Sequence, residues 1–331
     1  MKIYHKNAWI CAITFTFILC FYTFSFAQYE NIKGVQFKNG SIVYGKVIKM
    51  NINEIQIETK DGKIISSKFD DVASLIKEGE EESLKNLSKP WHTWEIGTEI
   101  SYIQYEETSM MKEKGMMYGI VSSYAYHHYF MSKAELKFAY GQLDYDGATW
   151  EGFPLTITGI PNYMLEIRGL LGYDFVRKAI MITPYLGIGF RWLNDNPQEK
   201  NSGGYKRISN YLYIPIGLEV VTNLGNDWSL GAAGEYDLLL RGKQKSCFSD
   251  INPGFNNIEN DQTKGYGVRG SISITKKYEK IGFLIEPYVK YWSISDSYAN
   301  PITYYGMPTG YIVFEPKNNS TEMGCKLAVT F

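Results

Sequence analysis

The sequence predicts an all-β protein, with a ten-stranded antiparallel up-and-down transmembrane β-barrel preceded by a small five-stranded β module. Three observations predict the barrel. After residue 90, ten segments alternate apolar and polar residues, their connections alternate in length, and one face of each segment carries no charge. The mean hydropathy of −0.25 would suit a soluble protein. A membrane barrel can give the same value, because its lipid-facing and lumen-facing residues alternate along each strand and cancel in an average.

Charge and composition exclude several classes of protein. The chain has 331 residues, with 34 basic against 35 acidic side chains. Proteins that bind nucleic acid normally carry a basic excess or stripe, so we expect no nucleic-acid partner. The 27 tyrosines, 17 phenylalanines and 31 glycines are not the composition of a disordered chain. They are compatible with membrane strands.

Residues 1–27 are predicted to be a signal peptide. Lys2 and Lys6 provide a positive start, residues 9–26 form an almost uncharged apolar run, and Ser25 and Ala27 are the small residues that precede a cleavage site. The alternative is a transmembrane anchor, which the cleavage site disfavours. No later stretch reaches the roughly 18 continuous apolar residues of a membrane helix.

Residues 28–77 alternate over five short predicted strands. Asn39-Gly40 and Asp61-Gly62 stand between alternating runs, and such pairs favour hairpins because both turn residues accept a positive φ. The run Asn39-Gly40-Ser41 to Gly45-Lys46-Val47 resembles SH3-like and Sm-like barrels. An RNA-binding role of the Sm type does not suit an exported chain without a basic excess, so we expect a periplasmic spacer or docking module. Residues 78–90 are acidic and predict a linker.

Each predicted barrel strand is at least as long as the roughly 9–11 residues that cross a bilayer core. An even number of strands can close the sheet and remove its edges, as lipid requires. Pro215 lies within a predicted strand and, lacking a backbone donor, predicts a bulge there. The predicted strands are residues 92–105, 115–128, 133–145, 162–175, 180–193, 209–222, 227–242, 264–276, 281–295 and 319–331.

The connections between these strands are sorted by length. Short and long connections on opposite sides are typical of outer-membrane barrels. The short connections are residues 129–132, 176–179, 223–226 and 277–280, and the long ones are 106–114, 146–161, 194–208, 243–263 and 296–318. We therefore expect the long loops outside the cell and the N-terminal module in the periplasm.

The charged face of each strand is expected to line the lumen, since a Lys or Arg facing lipid near the bilayer midplane costs roughly 2–4 kcal/mol. These side chains form either a polar pore or a self-neutralising network of salt bridges that fills the interior. Ten strands lie close to the size that side chains fill, which favours the second alternative. The predicted lumen charges are Glu95, Glu99, Glu135, Lys137, Glu166, Arg168, Arg191, Glu219, Glu235, Asp237, Arg241, Arg269, Glu286, Lys290, Glu322 and Lys326.

The C-terminal strand carries the most specific motif. Glu322, Gly324, Leu327, Val329 and the terminal Phe331 alternate along it, and this pattern resembles the assembly signal of outer-membrane proteins. Together with 183–189, 211–217 and 285–288, it makes residues 91–331 similar to uncharacterised Gram-negative outer-membrane β-barrel proteins. The resemblance implies fold and location, with lipid, lipopolysaccharide, periplasmic chaperones and the barrel-assembly machinery as partners. It implies no activity.

Catalysis is not expected. His5 belongs to the signal peptide, and His92, His127 and His128 fall near the periplasmic ends of their strands. The outer rim therefore has no histidine that could act as a general base. Adjacent His127 and His128 point to opposite faces of a strand and cannot chelate one metal. We expect no cofactor, no metal site and no catalytic residue.

The long loops combine polar residues with tyrosines, a composition typical of recognition surfaces. The candidate binding residues are Tyr298, Tyr304, Tyr305 and Tyr311. Surface binding or adhesion is the first functional hypothesis, with an extracellular ligand or a periplasmic protein as the expected partner. A narrow porin-like channel for small solutes is the second, and an outer-membrane hydrolase is a distant third.

Overall fold

The structure is a computed structural model that describes residues 32–39, 41–77, 91–108, 110–149, 152–177 and 179–331. The predicted signal peptide (1–27) and acidic linker (78–90) lie outside these residues. The chain divides into two compact units between Leu87 and Ser88. Each unit has its own buried apolar cluster.

The N-terminal unit contains six strands in two separate three-stranded antiparallel sheets, ordered β2-β1-β6 and β3-β4-β5. The strands are β1 (Ile32–Phe37), β2 (Ile42–Tyr44), β3 (Lys46–Met50), β4 (Glu54–Glu58), β5 (Ile64–Lys68) and β6 (Val72–Lys77), with a 3-10 helix at Phe69–Asp71. Val35, Ile55 and Ile57 are fully buried in the apolar cluster of this unit.

The prediction of a closed five-stranded barrel is therefore wrong. Gly45 divides the run that looked like one strand, so that β2 pairs with β1 and β3 pairs with β4. A Cβ atom at Gly45 would overlap the backbone of Glu58, so the two segments approach closely only because this residue is glycine. A sixth strand, β6, completes the first sheet.

The C-terminal unit is a closed antiparallel barrel of ten long strands, as predicted. Each strand pairs with its neighbours in sequence, and pairing of β20 with β7 closes the ring. The ten strands are β7 (Trp91–Glu107), β8 (Met111–His128), β9 (Phe130–Ala148), β10 (Pro154–Tyr173), β12 (Ile180–Asp195), β13 (Arg207–Gly225), β14 (Trp228–Ser246), β16 (Gly265–Tyr278), β17 (Ile281–Ile294) and β20 (Asn318–Thr330). The short strands β11 (Phe175–Arg177), β15 (Ile258–Gln262), β18 (Asn300–Tyr304) and β19 (Met307–Val313) lie in the connections.

One end of the barrel, here called the turn end, has the short connections. Tyr129, Asn226, Asp227 and Glu279 adopt positive φ there, the backbone conformation that tight hairpin turns require. The barrel's first and last residues lie at the same end, where the backbone groups of Trp94 and Phe331 bond to each other at 2.8 and 3.0 Å. The opposite end is called the loop end.

Two loops at the loop end are shorter than predicted. Strands β7 and β8 continue pairing to Glu107 and Met111, so the predicted loop 106–114 is mostly strand. Likewise β9 and β10 pair from Ala148 and Pro154, within the predicted loop 146–161. The segments are polar, but strand pairing above a membrane does not need apolar side chains.

A bulge in β14 changes which residues face the lumen. Tyr213 pairs with Leu239 but Leu212 pairs with Arg241, so Leu240 is an extra residue. Beyond the bulge the alternation of faces is reversed. Arg241 is consequently outside the barrel, with a side chain 65% exposed and Asp261 at 3.5 Å. Its prediction as a lumen charge is wrong for this reason.

Pro215 does not form the predicted bulge itself. It pairs with Asp237 in β14 without a register shift. On its other side, the β12–β13 pairing stops at Leu186 and resumes at Gly189, which omits the two positions opposite the proline. The missing backbone donor therefore interrupts one ladder locally and leaves the register intact.

The two faces of the barrel strands differ as predicted. Large apolar side chains such as Ile120, Leu186 and Leu171 are exposed on the outer face, whereas Glu99, Lys137 and Arg191 are buried inside.

The other helices of the described residues are 3-10 turns at Pro197–Glu199 and Phe248–Asp250. Within the described residues, no helix has the length and hydrophobicity needed to cross a membrane.

Candidate functional site

The middle of the lumen contains a layer of paired charges centred on Arg269 of β16. Its Nε lies 2.7 Å from Glu235, and its Nη2 lies 3.0 Å from Asp237 and 2.9 Å from Glu166. Lys290 also reaches Glu166, at 3.3 Å. The Arg269 guanidinium group thus joins three carboxylates from β10 and β14. One of them, Glu166, also contacts the ammonium group of Lys290.

Further ion pairs extend the charged layer across the barrel. Arg168 contacts Glu235 and lies 2.8 Å from Glu135. Lys137 lies between Glu99 and Glu322 and contacts both. These side chains come from five different strands, and the ion pairs join strands up to three positions apart around the ring.

A second set of pairs lies nearer the turn end. Lys326 bridges Glu95 at 2.8 Å and Glu286 at 2.7 Å, and Lys133 lies 2.9 Å from Glu135. Of the sixteen predicted lumen charges, Arg241 is outside, and Glu219 interacts electrostatically with Lys133 without a direct ion-pair contact. The structure brings the others into ion pairs, the longest being Arg191 to Glu322 at 3.9 Å.

An apolar layer fills the lumen on the loop side of the charges. It was not predicted from the sequence. It consists of two buried clusters that both contact Leu193, and Met117, Met164, Tyr213 and Trp292 are among its most buried members. The full set is Ile103, Met117, Ala139, Leu143, Met164, Leu193, Tyr211, Tyr213, Leu239, Trp292 and Ile294.

A sequence signal for this layer does exist. In β12, β14 and β17, an apolar residue stands two positions from an inward charge, always on the loop side: Leu193 after Arg191, Leu239 after Asp237, and Trp292 after Lys290. The same spacing that identified the charges could therefore have identified the apolar layer.

Aromatic rings lie flat against the inner wall where the facing strand has glycine. A Cβ atom at Gly189 would overlap the ring of Tyr213, and one at Gly267 would come within 2.7 Å of the indole of Trp292. Tyr213 is fully buried and donates to Glu166 at 2.7 Å. Because glycine has no side chain at these two positions, the rings can pack against the wall, where they narrow the lumen.

A cavity of about 150 Å³ lies on the turn side of the charged layer. Seven carboxylates and six cationic side chains line it, together with serines and Tyr185. Exposure falls along its depth, from 23% for the side chain of Glu135 and 22% for Glu286 to 1% for Glu235. The cavity therefore opens toward the turn end and ends at the charged layer.

A buried cluster of Arg207, Glu107 and Glu315 joins the barrel rim to the loops. Arg207 of β13 lies 2.5 Å from Glu107 of β7 and 3.0 Å from Glu315, which precedes β20. The hydroxyl of Tyr105 donates to Glu315 at 3.0 Å. Burial raises the pKa of Glu315 to about 7, with Arg207 opposing the shift and Glu107 adding to it.

This pKa predicts how docking of residues 297–317 onto the barrel rim depends on pH. Since the pKa of Glu315 is raised above its ordinary value of 4.5, the docked loop holds a proton that the detached loop releases between pH 4.5 and 7. Stability of docking should therefore decrease as pH rises through this window and level off above it. Hydrogen exchange of residues 297–317, corrected for intrinsic rates, should show that decrease in wild type and a flatter profile in Glu315→Gln. Protection that increases with pH would contradict the assignment.

The long loops fold into a cap with its own apolar cluster of Phe248, Ile258 and Ile302. Strand β15 extends the barrel sheet by pairing with β14, and β18 and β19 form a hairpin. Residues 297–314, which include this hairpin, contain no charged side chain.

The four candidate binding tyrosines differ in exposure. Tyr298, Tyr305 and Tyr311 are 75, 72 and 70% exposed. Tyr304 is more covered, because its ring packs on Phe255 at 5.1 Å. The structure thus presents three of the four to solvent.

The described histidines all lie at the turn end. His127 is buried, with its Nδ1 2.9 Å from Asp174 and its ring stacked on Trp91 at 4.7 Å. Asp174 also accepts from Thr183 at 2.7 Å. His92 contacts the hydroxyl of Tyr124 at 2.6 Å. No group of three or more metal-ligating side chains forms among the described residues.

The predicted assembly-signal residues lie on β20 and at its end. Leu327 and Phe331 are exposed on the outer face, whereas Glu322 is buried among the lumen charges. A Cβ atom at Gly324 would lie 2.6 Å from the hydroxyl of Tyr288. Val329 pairs with Ile96 and Phe283 in the strands that close the ring.

Comparison with known proteins identifies the fold. No protein family matches the chain, and no curated protein sequence matches it. The outer membrane protease OmpT from Escherichia coli is structurally similar, with a TM-score of 0.52 and 7% identity over 72% of this chain and 96% of OmpT.

Two further solved structures match less well. The translocator domain of the autotransporter NalP from Neisseria meningitidis has a TM-score of 0.36 and 11% identity, over 74% of this chain and 92% of that domain. The Pseudomonas putida toluene transporter TodX has a TM-score of 0.29 and 9% identity, over 72% and 89% of the two chains. The likeness to OmpT, together with the closed ten-stranded sheet, shows that the chain has the fold of an outer-membrane β-barrel.

Proposed function

We propose that this outer-membrane β-barrel is a non-enzymatic cell-surface protein that binds ligands or adheres through its loop cap. Its lumen is sealed, its loops lie outside the cell and its N-terminal module lies in the periplasm. The observation that carries the proposal is the sequence of layers inside the barrel, in which paired charges are followed by close-packed apolar side chains. Two successive layers of packed side chains leave no continuous passage through which a solute could cross the barrel.

The apolar layer is the stronger of the two barriers. An ion or polar solute that entered it would lose its hydration without gaining hydrogen-bond partners, and this transfer is unfavourable by several kcal/mol. Breaking the charged layer has a similar cost, because each buried charge would lose its partner. Both barriers disfavour the narrow-channel alternative.

The loop cap supports surface binding. It has a buried apolar cluster of its own, so it presents its side chains on an ordered scaffold. Tyrosines provide large contact area at a small cost in conformational entropy. Tyr298, Tyr305 and Tyr311 are the residues we assign to this surface.

Hydrolysis is the least supported alternative. OmpT is a protease by name, but at 7% identity the likeness concerns the fold alone. The loop end does contain buried carboxylates, including Glu107, Glu113 and Glu315. Its described residues include no histidine that could serve as general base, and an arginine already pairs with Glu107 and Glu315.

The sealed lumen predicts an electrical result. Purified protein reconstituted in a planar bilayer should show no discrete conductance steps, at a protein density where a porin control gives many. Heat-modifiable migration of the same sample on a gel would establish that the barrel is folded and inserted. Reproducible channel openings would overturn the sealed-lumen assignment in favour of the narrow channel.

The binding surface predicts the effect of a triple variant. Cells that display the wild-type protein should adhere to at least one member of a panel of immobilised glycans and extracellular-matrix proteins. Replacing Tyr298, Tyr305 and Tyr311 by serine should remove that adhesion, while the amount of folded barrel at the surface stays the same. Tyr278→Ser is the matched control, since Tyr278 is also largely exposed, at 60%, but lies at the turn end. Adhesion that survives the triple variant, or none in wild type, would contradict the proposal.

A further inference from the structure

The β18–β19 hairpin of the loop cap has an apolar outer face, and we propose that this face binds the surface of a lipid membrane outside the cell. The inference goes beyond ligand binding by the three tyrosines, because it adds a lipid partner and depends on other side chains. It rests on the proposed position of the loops outside the cell.

The two faces of the hairpin have different surroundings. Ile302 of β18 is buried in the apolar cluster of the cap, and Val313 of β19 packs against that cluster. Since successive residues of a strand point to opposite faces, their neighbours Pro301 and Ile312 face away from the cap. These two residues pair directly across the hairpin, and both are exposed, Ile312 at 68%. One face therefore attaches the hairpin to the cap, and the other presents apolar side chains to solvent.

The tip of the hairpin extends this apolar surface. Tyr305 and Gly306 adopt positive φ values of 48 and 80°, as a tight turn between two strands requires. Met307 follows the turn and pairs with Tyr304. Tyr305 and Met307 are 72 and 68% exposed. The tip therefore presents an aromatic ring and a thioether to solvent.

Charge favours lipid over protein as the partner. Charged residues make up 21% of the chain, yet residues 297–314 contain none. A protein interface tolerates charges at its rim, where they add specificity. A segment that enters the boundary between headgroups and acyl chains excludes charges, because their desolvation is unfavourable. Tyrosine suits this boundary, since its ring is apolar and its hydroxyl is polar.

The backbone of the hairpin also suits contact with lipid. Its strands pair with each other, and the chain preceding β15 supplies further partners. The backbone N–H of Tyr305 donates to the carbonyl of Gly254 at 2.8 Å, and that of Asn256 donates to the carbonyl of Thr303 at 3.3 Å. Backbone groups that are already paired lose little when water is removed from around them.

Two other connections at the loop end also present large apolar residues. Met110, between β7 and β8, is 56% exposed, and Phe153, between β9 and β10, is 67% exposed. Single exposed apolar residues are ordinary on a protein surface. Their recurrence at three connections on one end of the barrel supports contact of that end with lipid, since the apolar area buried at each connection adds to the attachment.

The test uses the full chain reconstituted in lipid nanodiscs, so that its membrane strands are already covered. Phosphatidylcholine vesicles are added and floated on a density gradient, and the protein recovered with them is measured. We expect wild type to float with the vesicles while empty nanodiscs do not. Replacing both Met307 and Ile312 by serine should reduce the bound fraction by about fivefold or more, because two apolar anchors are lost. Salt at about 0.5 M should not weaken binding, since apolar contacts are not screened.

Two control variants accompany the serine variant. Replacing Met307 and Ile312 by leucine keeps apolar side chains at both positions and should preserve binding. Leu224→Ser removes an apolar side chain that is 61% exposed at the turn end, and it should also leave binding unchanged. Heat-modifiable migration on a gel establishes that each variant is folded.

Several results would overturn the inference. Absence of wild-type flotation would exclude a lipid partner, and full binding by the serine variant would place the contact elsewhere. An equal loss in the leucine variant would indicate shape-specific recognition, as of a protein. Loss of binding in salt would indicate electrostatic attachment. The serine variant retains Tyr298, Tyr305 and Tyr311 and should still adhere to the panel of glycans and matrix proteins, so the two proposals fail separately.

Discussion

Replacing Arg269 by alanine should destabilise the barrel by about 3–5 kcal/mol, because removal of one partner leaves buried charges uncompensated. Glu166 keeps Lys290 and Glu235 keeps Arg168 in the variant. Asp237, whose side chain is 1% exposed, loses the ion-pair partner that the structure gives it. Urea unfolding of the barrel in lipid vesicles, followed by tryptophan fluorescence, measures the change.

Arg241→Ala is the matched control for this measurement. Both arginines occupy positions that the sequence predicts to be in the lumen, but Arg241 is exposed outside the barrel and lies 3.5 Å from a similarly exposed Asp261. Such surface pairs contribute about 0–1 kcal/mol. Equal unfolding midpoints for the two variants would show that the charged layer does not have the arrangement described.

Gly189→Ala should destabilise the barrel by about 1–3 kcal/mol through overpacking. The new methyl group would overlap the ring of Tyr213. That ring cannot move aside easily, since it is fully buried and its hydroxyl bonds Glu166 at 2.7 Å and lies 3.2 Å from Arg269. The same unfolding experiment reports the loss.

Gly169→Ala is the control for the glycine substitution. A Cβ atom at Gly169 meets no atom within 4 Å, and the residue is exposed on the outer face of β10. Both variants gain the same backbone rigidity, so the difference between them isolates the overlap with Tyr213. If Gly169→Ala were as destabilising as Gly189→Ala, packing of the ring against the wall would not be the cause.

The strands of the barrel could be predicted from the sequence because lipid imposes a local rule. Every second residue of a membrane strand faces hydrocarbon and must be uncharged. Each strand can therefore be recognised from its own residues, without knowing which strands it pairs with. The short turns are also local, since Asn226 and Asp227 accept the positive φ that a hairpin needs. The predicted loop boundaries fail at Glu107 and Ala148, because polar strands above the membrane obey no such rule.

The N-terminal unit shows the opposite case. Its alternation predicted strands, but which strands share a sheet depends on a break at Gly45 and on the late strand β6 pairing back to β1. Sheet membership is a long-range property, and short strands with weak patterns do not specify it.

Ten alternating membrane strands with charges on the inner face can be predicted from the sequence without the structure. How those inner residues meet depends on the folded barrel: Arg269 pairs with three carboxylates, and Tyr213 and Trp292 belong to an apolar layer. Contacts inside a barrel join strands far apart in sequence, and their partners are set by register. A single extra residue such as Leu240 reverses the face of everything beyond it, and alternation within one strand cannot reveal that shift.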